Sequence, residues 1–303
     1  MSKPKIIGTS FSYPHLISLG IDPLLAIQEL KKLNLSWVRL GCYWKEVEKS
    51  EGKFDSELEE KLLDSAQKLG LKVVLTVGMK APRWPEYYLP SWLKKKIKLP
   101  KEGIFSLGQD FLEKKLTKYL KITIDKFKKY SVIKVWQIEN EPLDPSGPYG
   151  WRISEEFLKK EAELVRFLDP PRPLLINLWG NELTLRDFYP YVAQIADIVG
   201  FDIYFRYFPP LDSEEKIKEI IKSIGKPVWI TELQAEPWEP GEIVTKKKNP
   251  PSCLPQHISQ NYRQVEKWGV EAVFFWGFEW WLYRKLNGDS RWWEEVVKLL
   301  QNC

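Results

Sequence analysis

The chain has 303 residues, 44% of them hydrophobic and 29% charged, with a net charge of +5 and a sequence pI near 8.8. No apolar run approaches the roughly 18 residues that cross a bilayer, there is no recognisable nucleic-acid-binding module to give the basic balance a partner, and the runs Lys94-Lys95-Lys96 and Lys246-Lys247-Lys248 read as solvated surface. The N-terminal MSKPKIIG lacks the apolar stretch of a signal peptide, so a cytoplasmic location is expected. Cys42, Cys253 and Cys303 form no disulfide framework or CxxC pair, and with His15 and His257 as the only histidines neither a metal site nor a Ser-His-Asp triad is expected.

In chain order, short apolar runs alternate with amphipathic segments. Strands are expected at 5–10, 36–40, 71–77, 132–139, 173–179, 198–204, 226–232 and 271–277. Most are continuously apolar, the pattern of strands buried on both faces of a parallel sheet. Helices are expected at 22–34, 55–69, 109–130, 154–168, 184–197, 213–224, 256–268 and 289–301. Asp22-Pro23 opens the first as N-cap and first helical residue. Gly70, Gly225 and Gly269 each follow a helix, where a left-handed cap favours glycine. Strict strand–helix repetition, with no GxGxxG or P-loop after the first strand, predicts one (β/α)8 TIM barrel over 1–303.

Long segments follow strand three (APRWPEYYLPSWLKKKIKLP) and strand seven (LQAEPWEPGEIVTKKKNPPSC). Loops of this length are usually functional, and in this fold the βα loops build the active face. Glu141 stands after strand four, in VWQIENEP, and Glu232 ends strand seven, in VWITE. Strands four and seven lie across the barrel from each other, so the two carboxyls are expected to face one another at its mouth. That arrangement suits glycoside cleavage: one carboxyl protonates the leaving oxygen, and the other attacks the anomeric carbon when the pair is about 5–5.5 Å apart. His15 after strand one, Glu279 and Trp280 after strand eight, and Glu236 and Trp238 on the strand-seven loop are further candidates for the mouth. The 15 tryptophans supply flat apolar faces suited to sugar C–H groups.

Asn140-Glu141-Pro142, with Ile230-Thr231-Glu232 at strand seven, resembles clan A of the retaining glycoside hydrolases. The resemblance implies Glu141 as acid/base and Glu232 as nucleophile, without metal or organic cofactor. It further implies Arg39 beside the nucleophile, Asn140 on the sugar 2-hydroxyl, Tyr204 orienting the nucleophile and Trp276 as the floor of the sugar subsite. WKEVEKSEGKFD (44–55) resembles the stretch after strand two in several families of the clan, and the Pro-Trp-rich loop resembles β-galactosidase-type members. The sequence departs from families with His after strand three, carrying Lys80 and Trp84 there. The expected function is hydrolysis of β-glycosidic bonds in oligo- or polysaccharides. The alternatives are a transglycosylase of the same clan, a carbohydrate-binding barrel that has lost catalysis, and a metal-dependent barrel enzyme, the last disfavoured by the absence of a His-carboxylate cluster.

Overall fold

The structure is a computed structural model that describes residues 3–100, 103–207, 213–239 and 241–301. Its centre is a closed, all-parallel barrel of eight strands. In chain order these are β1 (Ile6–Phe11), β2 (Trp37–Gly41), β3 (Lys72–Val77), β4 (Ile133–Ile138), β5 (Leu174–Trp179), β6 (Ile198–Ile203), β7 (Val228–Gln234) and β8 (Ala272–Trp276). Each pairs with its sequence neighbours, and β1 closes on β8. The principal helices are α1 (Pro23–Glu29), α2 (Glu57–Lys68), α3 (Asp110–Phe127), α4 (Glu155–Leu168), α5 (Tyr189–Ile195), α6 (Glu214–Ser223), α7 (Pro255–Val265) and α8 (Arg291–Leu300). The (β/α)8 expectation is met. Among the described residues, no helix is long and apolar enough to cross a membrane. Cys42 and Cys253 are buried thiols; Cys303 lies outside the described residues.

Local chemistry explains the boundaries. The Asp22 carboxylate accepts from Leu24 N at 2.7 Å and Leu25 N at 3.3 Å, satisfying amides that the helix leaves without partners. Gly70, Gly225 and Gly269 adopt φ of 72°, 66° and 84° after their helices. The segment 184–197, expected as one helix, is broken. A short turn at Glu182–Leu185 ends at Arg186 with φ 64°, and α5 starts afresh at Tyr189. The Glu182 carboxylate accepts from Phe188 N at 2.7 Å and Tyr189 N at 3.2 Å, which caps the second piece. A two-residue parallel pair, Ile104–Phe105 with Arg152–Ile153, was not expected; it ties the loop after β3 to the loop after β4.

The barrel interior has two storeys. Below lies an apolar plug that includes Trp37, Val74, Trp229 and Phe274. The Trp37 and Trp229 rings meet edge to face at 5.7 Å, and Trp229 stacks on Phe274 at 5.8 Å. Above it, at the C-terminal ends of the strands, the inward residues become polar: Ser10, Arg39, Gln137, Asn177 and Asp202, all buried. The larger apolar core fills the space between the barrel and its helices.

Several buried carboxyls have no ion pair among the described residues. Burial pushes Glu59, which accepts from the Tyr13 hydroxyl, up to about 7. Burial likewise pushes Glu139 up to about 7, and lifts Glu161 well above the usual range with the charge of Glu139 adding to it. Because these groups hold protons more tightly folded than unfolded, their contribution to stability is complete below about pH 4.5 and is lost as pH rises through 7. The melting temperature is therefore expected to fall between pH 5 and pH 8, by the equivalent of roughly 2–3 kcal/mol for each such group. Glu161→Gln, which cannot ionise, should flatten that slope in thermal denaturation followed by circular dichroism. A melting temperature that rises over this range contradicts the assignment.

Candidate active site

The polar upper storey opens into a cavity of about 410 Å³, lined among others by His15, Asn140, Glu141, Tyr204, Glu232 and Trp276. This is the size range of small-ligand sites, and it lies at the strand ends where barrels of this kind do chemistry. Arg39, buried just beneath, joins these residues from below.

Glu232 owes its place to a fault in the sheet. Between β6 and β7 the register runs Phe201↔Ile230 and then Asp202↔Glu232, so Thr231 is an extra residue. Thr231 turns inward, its hydroxyl donating to Asp202. Regular alternation would then send Glu232 outward; the bulge brings it into the cavity as well. There its Oε1 accepts from Arg39 Nη1 at 2.7 Å and its Oε2 from the Tyr204 hydroxyl at 2.6 Å.

Arg39 also donates from Nε to Gln137 at 2.7 Å, from Nη1 to Ser10 at 3.3 Å, and from Nη2 to Asn140 Oδ1. Asn140 Oδ1 accepts a further bond from Asn177 at 3.1 Å. With its oxygen so engaged, Asn140 presents its amide N–H groups to the cavity.

Glu141 is held differently. Its backbone N–H donates to Asn177 Oδ1 at 3.0 Å, and its carbonyl accepts from the buried Lys80 Nζ at 2.6 Å. Its carboxyl Oε1 is buried without a partner. Burial first, then the charges of Asp202 and Glu232, push the Glu141 carboxyl well above the usual range. Glu139, two residues earlier, faces away: its carboxylate accepts from Met79 N at 2.8 Å and from Lys80 N.

The structure brings together Glu141, Glu232, Arg39, Asn140, Tyr204, Trp276 and His15. Glu236 and Trp238 also line the cavity. Glu279 does not; it is fully buried behind Arg83, accepting from Ser12 N and from Arg83 Nη2. Trp280 packs edge-on against Trp292 at 5.8 Å. Burial holds His15 near pKa 3, and Arg83's charge adds to this, so its imidazole is neutral. Four functional positions went unmarked in the sequence: Gln137, Asn177, Asp202 and Arg83. The first three carry a signal, being lone polar residues inside apolar strand runs (VWQI, LINLW, GFDIY).

Residues 25–150 match the glycoside hydrolase 42 family model, described as beta-galactosidase. That segment contains Arg39 and Glu141 but not Glu232. No curated protein sequence matches the chain. Among solved structures, a β-galactosidase from Marinomonas ef1 is 13% identical with a TM-score of 0.69, covering 98% of this chain and 59% of that one. A β-galactosidase from Halorubrum lacusprofundi is 14% identical with a TM-score of 0.67, covering 98% and 57%. A GH5_18 protein from Streptomyces cattleya, in complex with GlcNAc, is 14% identical with a TM-score of 0.71, covering 100% and 81%. The chain resembles the clan A glycoside hydrolases. It spans less than two thirds of the length of the two β-galactosidases. The closed eight-strand barrel is the fold shared with these structures; in it Glu141 follows the fourth strand and Glu232 lies near the end of the seventh.

Removing the Arg39 guanidinium leaves Glu232 buried and uncompensated. Arg39→Ala is expected to destabilise the fold by about 3–5 kcal/mol in urea titrations. Adding Glu232→Gln to Arg39→Ala should recover part of that loss; strict additivity of the two substitutions would show that the pair is not coupled.

Proposed function

We propose that this chain is a retaining β-glycosidase acting through Glu232 as nucleophile and Glu141 as acid/base. The observation that supports this most directly is the unequal treatment of two carboxyls in one cavity. Glu232 is ion-paired with Arg39 and hydrogen-bonded by Tyr204, whereas Glu141 has a buried, unpartnered oxygen and a carboxyl pushed well above the usual range by burial and then by the charges of Asp202 and Glu232.

In the first step the Glu232 carboxylate attacks the anomeric carbon as the bond to the leaving oxygen breaks, and Glu141 gives that oxygen its proton. Glu141, now ionised, takes a proton from water; the hydroxide equivalent attacks the same carbon and releases Glu232. The Tyr204 hydroxyl and Arg39 hold the Glu232 oxygens in line for attack, a contribution of position rather than of proton transfer. The Asn140 amide is placed to bond the 2-hydroxyl, an interaction that strengthens as positive charge develops on the ring.

Glu232→Ala should lose at least about 10³-fold in turnover of aryl β-glycosides, a scale consistent with removal of a covalent catalyst. Azide should restore activity and give the α-glycosyl azide. Wild-type activity should fall as pH rises through the raised Glu141 pKa, and Glu141→Gln should abolish that alkaline limb on substrates with good leaving groups. First-formed product of inverted configuration, read by NMR, would refute the retaining mechanism.

A further inference from the structure

Arg83 lies in the loop after β3, with φ 84°, and is only 8% exposed although it lines the cavity. Its guanidinium is fixed from three sides. Nη1 and Nη2 both donate to Glu236, the second at 2.8 Å, from the loop after β7. Nη2 also donates to Glu279 at 2.5 Å, from the turn after β8. The guanidinium carbon sits 4.1 Å from the ring centre of Trp276, the last residue of β8.

A guanidinium has five N–H donors. Three are used in these bonds, so Nε–H and one Nη1–H remain, and Nε is buried without a partner. Spending three elements and two carboxylates to immobilise one cation that still has free donors makes a pre-organised recognition group. The clamp stands on the β8–β1–β3 side of the cavity with His15. The same cavity is lined by Glu141, Glu232 and an aromatic wall in which Trp179 stacks on Tyr204 at 5.2 Å and Trp238 meets Tyr204 at 5.7 Å. In the mechanism above, the glycone is held against Glu232 in this cavity, so it meets the clamp that lines it.

The charge balance then limits the ligand. One guanidinium faces two carboxylates, so the clamp is no receptor for an anionic sugar. Resting on the glycosidase reading, we propose that Arg83, held by Glu236 and Glu279 over Trp276, reads the hydroxyls of an uncharged glycone and rejects uronic acids.

The test uses the full chain with nitrophenyl β-glycosides of neutral sugars, their 3-, 4- and 6-deoxy forms and the matching uronide. The wild type should favour the neutral glycone and lose roughly 10- to 100-fold in kcat/KM when the hydroxyl read by Arg83 is missing. Arg83→Lys should lower kcat/KM on the parent by a similar factor and no longer distinguish it from that deoxy form. Glu236→Gln, a change of charge with little change of shape, should narrow the preference over the uronide at least tenfold; it carries the test alone where Arg83→Lys fails to fold. Unchanged deoxy discrimination in Arg83→Lys, an unchanged uronide preference in Glu236→Gln, or a wild type indifferent to the uronide would overturn the assignment. Calorimetric titration with the methyl glycosides separates the two levels. Neutral-sugar binding with the same Arg83 dependence but no turnover refutes the hydrolase and leaves the clamp standing. Turnover with no Arg83 dependence does the reverse, and neither binding nor turnover refutes both.

Discussion

Arg39 organises the mouth of this barrel. Its side chain is fully buried, yet it donates to groups from three other strands or strand ends: Ser10 on β1, Gln137 and Asn140 on and after β4, and Glu232 on β7. A cation at such depth is tolerable only if its donors are matched and its charge is opposed. The site therefore cannot be assembled piecemeal. Glu232 stabilises the guanidinium, which fixes Asn140 and Gln137, and these reach Asn177. Asn177 in turn bonds the Glu141 backbone and Asp202, so the nucleophile candidate and the acid candidate sit in one continuous network.

Within that network the two glutamates differ by which of their atoms is held. Glu232 is gripped by its carboxylate. Glu141 is gripped by its backbone, through Asn177 at the N–H and Lys80 at the carbonyl, while its side chain meets Asp202 and leaves Oε1 without a partner. Lys80 thus positions Glu141 while its hydrogen bonds go to backbone carbonyls rather than to the carboxyl. Burial and neighbouring negative charge then push the Glu141 carboxyl well up, toward the protonated state that a leaving group needs in the proposed reaction. Asp202, itself pushed well up by burial and by Glu232, belongs to the same balance from the floor of the cavity.

The sequence made the barrel legible because its signals are local: apolar runs of strand length, Asp22-Pro23 at a helix start, glycine after helices. Glu141 and Glu232 are legible because each is an acid within a few residues of the end of such a run. Asn177 and Asp202 also interrupt apolar runs, but their meaning depends on neighbours across the sheet. Asn177 contacts residues 36 and 40 positions away, and Arg39 contacts one 193 positions away. The bulge at Thr231 has no turn-forming residue to announce it. The Ile104–Phe105 ladder is too short to show a period, and the break in segment 184–197 depends on a single carboxylate capping the second piece. Arg83 stands near Lys80 and Trp84, where the sequence departs from the clan pattern. Its own role emerges only when Glu236 and Glu279 arrive from other loops.

One loop serves both halves of the cavity. Glu139 and Glu141 both have left-handed backbone, at φ 58° and 45°, conformations that cost non-glycine residues on the order of 1–3 kcal/mol each. The loop after β3 opposes that cost. Met79 N and Lys80 N bond the Glu139 carboxylate, and Lys80 Nζ bonds the Glu141 carbonyl. Gly78 permits the approach, since a Cβ there would fall 2.3 Å from the Glu139 carboxyl carbon. Five residues further along, the same loop delivers Arg83 to Glu236 and Glu279. The segment that holds the acid in its strained position is therefore also the segment that carries the clamp. A displacement of this loop would move both together, which on the proposed reading ties the placement of the reacting proton to the recognition of the sugar.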